Sequence, residues 1–325
     1  MKHILSSFAA AAVLALLAAC VNTVNPVPEE VPDTSTLNQP VPGAEQDPGY
    51  QKVTTPALSQ NFVQRIQEKK QQAEKEGKEI RLVLVGDSIT HFWEGGGFGG
   101  GFGGFGGFGG GFGGGFGGGF GGGFGGGQGG QGGMPPMGGF GSGFGGGQGP
   151  QGGAQQGAQA NSGNGYSDLA EYHPLNLGFS GDRTENILYV IKNTGIFELI
   201  DPQLVTLMIG TNNFGMHESE PVATAEAIRL CVLAIKEKAP NAKILLYGIF
   251  PRGDGLGDKC AATNEIIKDF ADNKTVFYED LTPKFTDENG NIRQGVLGFD
   301  RLHPADGGYR IWADSIKAFA EERLK

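Results

Sequence analysis

Cysteine is almost missing from this chain. There are three in 325 residues, at positions 20, 231 and 260, with no CxxC pair. That count excludes a disulfide framework, although two exported cysteines could still form one bridge. The five histidines show no spacing that suggests a zinc site. Basic runs are also lacking. The formal net charge of −10 gives nucleic acid nothing to bind. The most unusual absence is local. From Gly95 to Gly165 there is no charged residue, only Gly, Phe, Gln, Ala and a few others. Outside that stretch roughly 200 residues have ordinary composition, enough for one domain with a sizeable core.

What is present begins with "MKHILSSFAAAAVLALLAAC". Lys2 supplies a basic n-region, and the apolar stretch Ile4 to Leu17 is short for a bilayer span. The ending Leu-Ala-Ala-Cys resembles the lipobox of bacterial lipoproteins. That resemblance implies a signal peptide over 1–19 and a lipidated Cys20, hence a membrane anchor. Each buried CH₂ of such an anchor contributes about 0.8 kcal/mol. The plainer alternative is an ordinary secretory signal. Residues 20–57 are rich in Pro, Thr, Glu, Asp and Asn, lack an apolar period, and read as a flexible tether.

The domain is expected over 58–94 and 166–325, where short apolar runs alternate with helical patterns. "EIRLVLVG", "PLNLGFSG", "QLVTLMIG", "AKILLYGIF" and "KTVFYED" read as five strands. "LSQNFVQRIQEKKQQAEKEG", "RTENILYVIKN", "PVATAEAIRLCVLAIKEK", "CAATNEIIKDFADN" and the C-terminal "PADGGYRIWADSIKAFAEERLK" read as helices. Such alternation predicts an α/β fold with a five-stranded parallel sheet covered on both faces. Cys231 falls on an apolar helix face, as a small buried hydrophobe would.

The uncharged stretch, 95–165, interrupts the domain between its first two strands. Phe98, Phe102, Phe105, Phe108, Phe112, Phe116, Phe120 and Phe124 recur at helix-like spacing. Glycine between them defeats a helix, at about 1 kcal/mol per residue relative to alanine. The composition reads as a low-complexity, disordered insertion. It could serve weak self-association or contact with lipid or glycan. It could equally be an expanded loop, tolerated because long loops add little closure entropy.

Four polar blocks stand out: "GDSIT" (86–90), "NLGFSGD" (176–182), "GTNN" (210–213) and "DRLHP" (300–304). The first three directly follow expected strands, whose carboxyl ends share one edge of a parallel sheet. Ser88 would be a nucleophile if a base took its proton. His303 can be that base, with Asp300 three residues earlier to orient it. The Ser88 and Gly181 amides and the Asn212 side chain can serve a developing oxyanion. The scheme needs no metal or cofactor. Asp87 is expected to brace the serine turn. Asp87 and Arg252, in "FPRG", are also candidates for touching substrate, with a structural ion pair as the competing role of Arg252. His91, His173 and His217 read as surface or satisfied core residues, and Trp93 and Trp312 as packing.

In order and type these blocks, with "LHP…GYRIWA", resemble the SGNH (GDSL-type) hydrolase superfamily, over about Ile80 to Glu94 and His173 to the C-terminus. The likeness is greatest to the branch holding the catalytic subunits of platelet-activating factor acetylhydrolase Ib and related bacterial esterases. It implies a flavodoxin-like three-layer α/β/α fold, a Ser88–His303–Asp300 triad, and oxyanion donors at Ser88, Gly181 and Asn212. Members usually join the first two blocks by a short helical segment, where this chain has its long uncharged stretch. The resulting expectation is a lipid-anchored exported esterase acting on short acyl esters, such as acetyl groups on carbohydrate. A lysophospholipase or thioesterase would use the same triad. A protein of another class, a non-catalytic surface adhesin, would work through the Gly/Phe tract.

Overall fold

The computed structural model describes residues 35–94, 164–217 and 219–324, with the side chains of Met216 and His217 set aside. Five strands form one sheet: β1 (Leu82–Gly86), β2 (Pro174–Gly178), β3 (Leu204–Met208), β4 (Lys243–Tyr247) and β5 (Val276–Glu279). Their order is β2-β1-β3-β4-β5, and every neighbouring pair is parallel. This is the flavodoxin-like order, and it confirms the expected fold class. Nine helices are described: α1 (Tyr50–Thr54), α2 (Val63–Glu76), α3 (Ser88–Glu94), α4 (Thr184–Asn193), α5 (Thr211–His217), α6 (Pro221–Lys238), α7 (Gly257–Ile267), α8 (Thr282–Phe285) and α9 (Asp306–Arg323).

The continuously apolar strands feed two cores, because successive side chains point to opposite faces. On one face Val83, Val85, Val205, Leu207, Ile244 and Leu246 join Ile187 and Ile191 of α4 and Ile228, Val232 and Ile235 of α6. On the other, Leu82, Leu84, Leu204, Leu245 and Tyr247 meet Ile89 and Trp93 of α3 and Tyr309, Trp312 and Ile316 of α9. Trp93 and Trp312 stack at 4.4 Å, the packing role expected of both. Cys231 and Cys260 are separate buried thiols, so the bridge that two such residues could make is not formed.

Two boundaries differ from the sequence reading. Residues 35–57 were expected within a free tether. They are instead a strap held against the domain, with Leu37, Val41, Ala44 and Val53 buried. Polar contacts fix its path. Glu226 and Arg229 pair on α6 at 2.7 Å. Glu226 Oε2 accepts the Val41 N–H at 2.9 Å, and Arg229 Nη1 donates to the Leu37 carbonyl at 2.9 Å. The Thr184 hydroxyl donates to the Val53 carbonyl at 3.0 Å. A segment with no apolar period can thus be ordered by side-chain partners elsewhere in the fold.

The second boundary concerns the insertion. Composition sets it at 95–165, but Asn164 and Gly165 belong to the folded body. Trp93 Nε1 donates to the Asn164 carbonyl at 2.9 Å, and Asn164 Nδ2 donates to the Trp93 carbonyl at 2.8 Å. The rest of the Gly/Phe stretch, the signal segment and Cys20 lie outside the described residues.

Candidate active site

β1 ends at Gly86, where a side chain would collide with Thr90 Oγ1 and the Met208 carbonyl, 2.2 and 2.5 Å from an added Cβ. The chain then turns at Asp87 and starts α3 at Ser88. Asp87 Oδ1 accepts the Ile89 N–H at 3.0 Å, bracing the turn as expected. The Asp87 side chain is fully buried beneath the turn that carries Ser88. Burial pushes its carboxyl up to about 7, against the pull of the Ile89 amide and the Arg252 charge. Tyr309 Oη, from α9, donates to the Ile89 carbonyl at 2.8 Å and pins the serine helix to the C-terminal helix.

His303 arrives on a loop closed by the bridge between Leu297 and Pro304 and by Gly298 N–H donating to the His303 carbonyl at 2.8 Å. Asp300 organises this loop. Its Oδ1 accepts the backbone N–H groups of Leu302 and His303, each at 3.1 Å. Its Oδ2 lies 2.5 Å from His303 Nδ1. With Nδ1–H donating to Asp300, the other ring nitrogen is an acceptor. That nitrogen, Nε2, is 2.8 Å from Ser88 Oγ, whose hydroxyl donates to it. The Phe92 ring packs 5.0 Å from the imidazole. The structure therefore brings Ser88, His303 and Asp300 into one chain of hydrogen bonds.

The two other residues expected to donate lie after β2, at Gly181, and after β3, at Asn212 in the first turn of α5. Phe179 N–H donates to the Gly86 carbonyl at 3.1 Å, tying the β2 loop to the serine loop. Gly181 has φ 77, a left-handed conformation that glycine adopts freely. Asn212 Nδ2 donates to the carbonyl of Asp182 at 2.9 Å, beside Gly181, which leaves its second N–H for another acceptor. Asp182 is itself buried, and its carboxyl is pushed up to about 7, mainly by burial, with the Asp87 charge adding to the rise.

Some supporting residues went unassigned in the sequence. Asn213 Oδ1 accepts the Thr184 N–H at 3.2 Å and its Nδ2 donates to the Thr184 hydroxyl at 2.7 Å, so it locks the β3 loop to the start of α4. It sits inside "GTNN", but nothing in the motif separates the asparagine that braces from the one that faces the site. Arg252 is engaged by structure. Its guanidinium holds Asp254 through two nitrogens and donates from Nη1 to the Thr211 carbonyl at 2.9 Å and hydroxyl at 2.7 Å. It fixes the residue before Asn212, as the ion-pair reading allowed. His91 accepts the Ser180 N–H at Nδ1, 3.2 Å, and burial pushes its imidazole down to about 3. It is a half-buried residue, held by that contact and packed against the Phe62 and Phe92 rings. His173 lies at the exposed start of β2, and the His217 side chain is outside the described set.

Comparison with known proteins follows the same lines. The sequence profile of the GDSL-like lipase/acylhydrolase family matches residues 140–311, a span that includes Gly181, Asn212, Asp300 and His303 and begins after Ser88. Over 141 residues the chain is 33% identical to the human platelet-activating factor acetylhydrolase IB subunit alpha1, and 35% identical to the rat subunit alpha2. Each match covers 42% of this chain and 59% of the relative. A crystal structure of an acylhydrolase from Bacteroides fragilis superposes with a TM-score of 0.52 at 16% identity, covering 83% of this chain and all of the other. That last likeness concerns the fold alone.

Proposed function

The chain belongs to the GDSL-like lipase/acylhydrolase family, and from that premise we propose that it is a serine esterase in which Ser88 attacks an acyl carbonyl. The 2.8 Å contact between His303 Nε2 and Ser88 Oγ, with Asp300 behind the ring, carries the reading. His303 takes the serine proton as Oγ bonds to the carbonyl carbon, then gives it to the departing alcohol oxygen. In the second half it takes a proton from water, which attacks the acyl-serine, and returns that proton to Ser88. Asp300 holds the productive tautomer and balances the transient imidazolium. The amides of Ser88 and Gly181 and the free N–H of Asn212 receive the oxyanion.

The favoured acyl group is short. The support is that the relatives are named for removing an acetyl group. An acetylated carbohydrate is the favoured alcohol, given the proposed export and lipidation at Cys20. Initial rates on p-nitrophenyl acetate and p-nitrophenyl palmitate test both the reaction and the chain length. The expected result is acetate turnover that falls by at least about 10⁴-fold in Ser88→Ala. Full activity in that variant refutes the mechanism, and a preference for palmitate replaces the short-acyl reading with a lipase-like one.

A further inference from the structure

Against the loop that carries His303, through Leu297, Gly298 and Arg301, and at the carboxyl end of β4, lies a cleft of about 620 Å³ whose charged lining includes three arginines, Arg252, Arg293 and Arg301, and one carboxylate, Asp258. Its wall also contains Gly257 and Asp258, the first turn of α7, whose N-cap Leu256 offers no side-chain cap. The positive end of an eleven-residue helix thus adds to the arginine charge.

The three arginines are not equivalent. Arg252 is bound to Asp254. Arg293 Nε donates to the Thr286 carbonyl at 2.6 Å, and its charge acts on Asp287. Arg301 forms no ion pair among the described residues. Its guanidinium lies across Gly253, where an added Cβ would come within 2.4 Å of Arg301 Nε. The backbone of Arg301 is clamped on both sides, its N–H donating to the Gly298 carbonyl at 3.0 Å and its carbonyl accepting from Gly253 N–H at 2.9 Å. That clamp imposes φ 56, a left-handed conformation that favours glycine or asparagine over arginine. A long cationic side chain is therefore kept at an unfavourable backbone position, facing a cleft, directly after Asp300.

Position relative to the reaction assigns the ligand. The histidine that protonates the departing alcohol is two residues beyond Arg301 on the same loop. In acyl transfer the alcohol oxygen leaves on the histidine side, while the carbonyl oxygen turns toward the amide donors. We propose that this cleft receives the alcohol portion of the ester and that Arg301 binds an anionic oxygen group on it, a carboxylate or a phosphate. The inference rests on the esterase reading and narrows its substrate class to acyl esters of acidic alcohols.

The test compares three acetyl esters of one phenol scaffold: methyl 4-acetoxybenzoate, 4-acetoxybenzoate and 4-acetoxyphenyl phosphate. The full-length protein is expected to favour one of the two anionic esters over the neutral one by about tenfold in kcat/KM at low salt, chiefly through KM. The preference should shrink as salt is raised. Which anion wins separates a carboxylate-bearing alcohol from a phosphorylated one. Arg301→Gly suits the local backbone, so it tests the side chain without threatening the fold, and the anionic-to-neutral ratio should fall about tenfold. Calorimetric titration of Ser88→Ala, with and without Arg301→Gly, by the same anionic esters reads the cleft without turnover. Weaker binding in the double variant upholds the assignment even if no ester is hydrolysed, the outcome that would sink the esterase reading. Equal binding in both proteins, or an unchanged ratio in active Arg301→Gly, overturns it.

Discussion

Trp93 and Asn164 hold each other through two reciprocal hydrogen bonds, at 2.9 and 2.8 Å, although 71 positions separate them. The indole is also stacked on Trp312, so the clasp is anchored in the core. Both ends of the Gly/Phe insertion are therefore fixed by the folded body. Replacing 95–163 by a six-residue Gly/Ser bridge is expected to leave the protein folded and stabilised by up to about 2 kcal/mol, through reduced loop-closure entropy. Urea denaturation measures this, and p-nitrophenyl acetate turnover should stay within about threefold, since Ser88, Asp300 and His303 all lie outside the replaced stretch. A deletion protein that folds but does not turn over would give the insertion a part in the site. Asn164→Ala in the full chain should cost about 1–3 kcal/mol, since it removes an interaction on which buried backbone groups depend.

Asp300→Asn tests the orientation of the imidazole. The amide oxygen can still accept from Leu302 and His303, so the loop should persist. Its NH₂ cannot accept from Nδ1–H, and the wrong tautomer is then favoured. A fall in kcat of about 10⁴ with intact near-UV circular dichroism is expected. A fall of less than about tenfold would remove Asp300 from the triad.

Asn212→Ala should lower kcat by about 10²–10³ with little change in KM, the mark of a donor used in the transition state. The same change in Asn213 should act differently. Loss of its paired contacts with Thr184 should cost about 1–3 kcal/mol of stability, read from urea midpoints. If Asn213→Ala loses kcat at unaltered stability and Asn212→Ala does not, the two roles are exchanged.

The buried Asp87 carboxyl gives stability a pH dependence of known sign. Unfolded, it releases its proton near the ordinary 3.8, whereas folded it keeps that proton up to about 7. Between those values the native state binds more protons, so this group's contribution is full below about pH 4 and is lost as pH rises through about 7. Asp87→Asn should therefore gain more, or lose less, at pH 8 than at pH 5. Urea titrations at the two pH values decide. A variant harmed more at pH 8 would mean that the carboxylate form is the stabilised one.

The strap over 35–57 is predicted to be structural. Leu37→Ala removes a fully buried side chain and should cost about 2–5 kcal/mol. Arg229→Ala strips Glu226 of its partner and should cost about 3–5 kcal/mol. Unchanged urea midpoints in both would return this segment to the status of a tether.

Much of the framework could be read from the residues. The five apolar runs became the five strands, and the helix opened by Pro221 runs to Lys238 as its pattern indicated. Such signals are legible because burial on both sheet faces, or on one helix stripe, forces a regular spacing. The strap escaped because Leu37, Val41, Ala44 and Val53 follow no period. Their order comes from Glu226, Arg229 and Thr184, contacts more than a hundred residues away in the chain. The motif blocks singled out Ser88, His303 and Asp300, which the structure joins in one chain of hydrogen bonds. They could not show that Asp87 is sealed beneath the serine or that Arg252 grips Thr211, since both depend on loop packing. The left-handed backbone at Arg301 was equally hidden, because arginine carries no signal for that conformation.

Were Cys20 lipidated as proposed, the anchored strap would also limit how far the domain can stand from a membrane. If Cys20 carries lipid, fifteen peptide units join it to Ser35, the first residue described. Fully drawn out, fifteen units reach about 50 Å at most. The hydrolase would therefore patrol a thin shell at the bilayer surface, and esters beyond that shell would have to come to it.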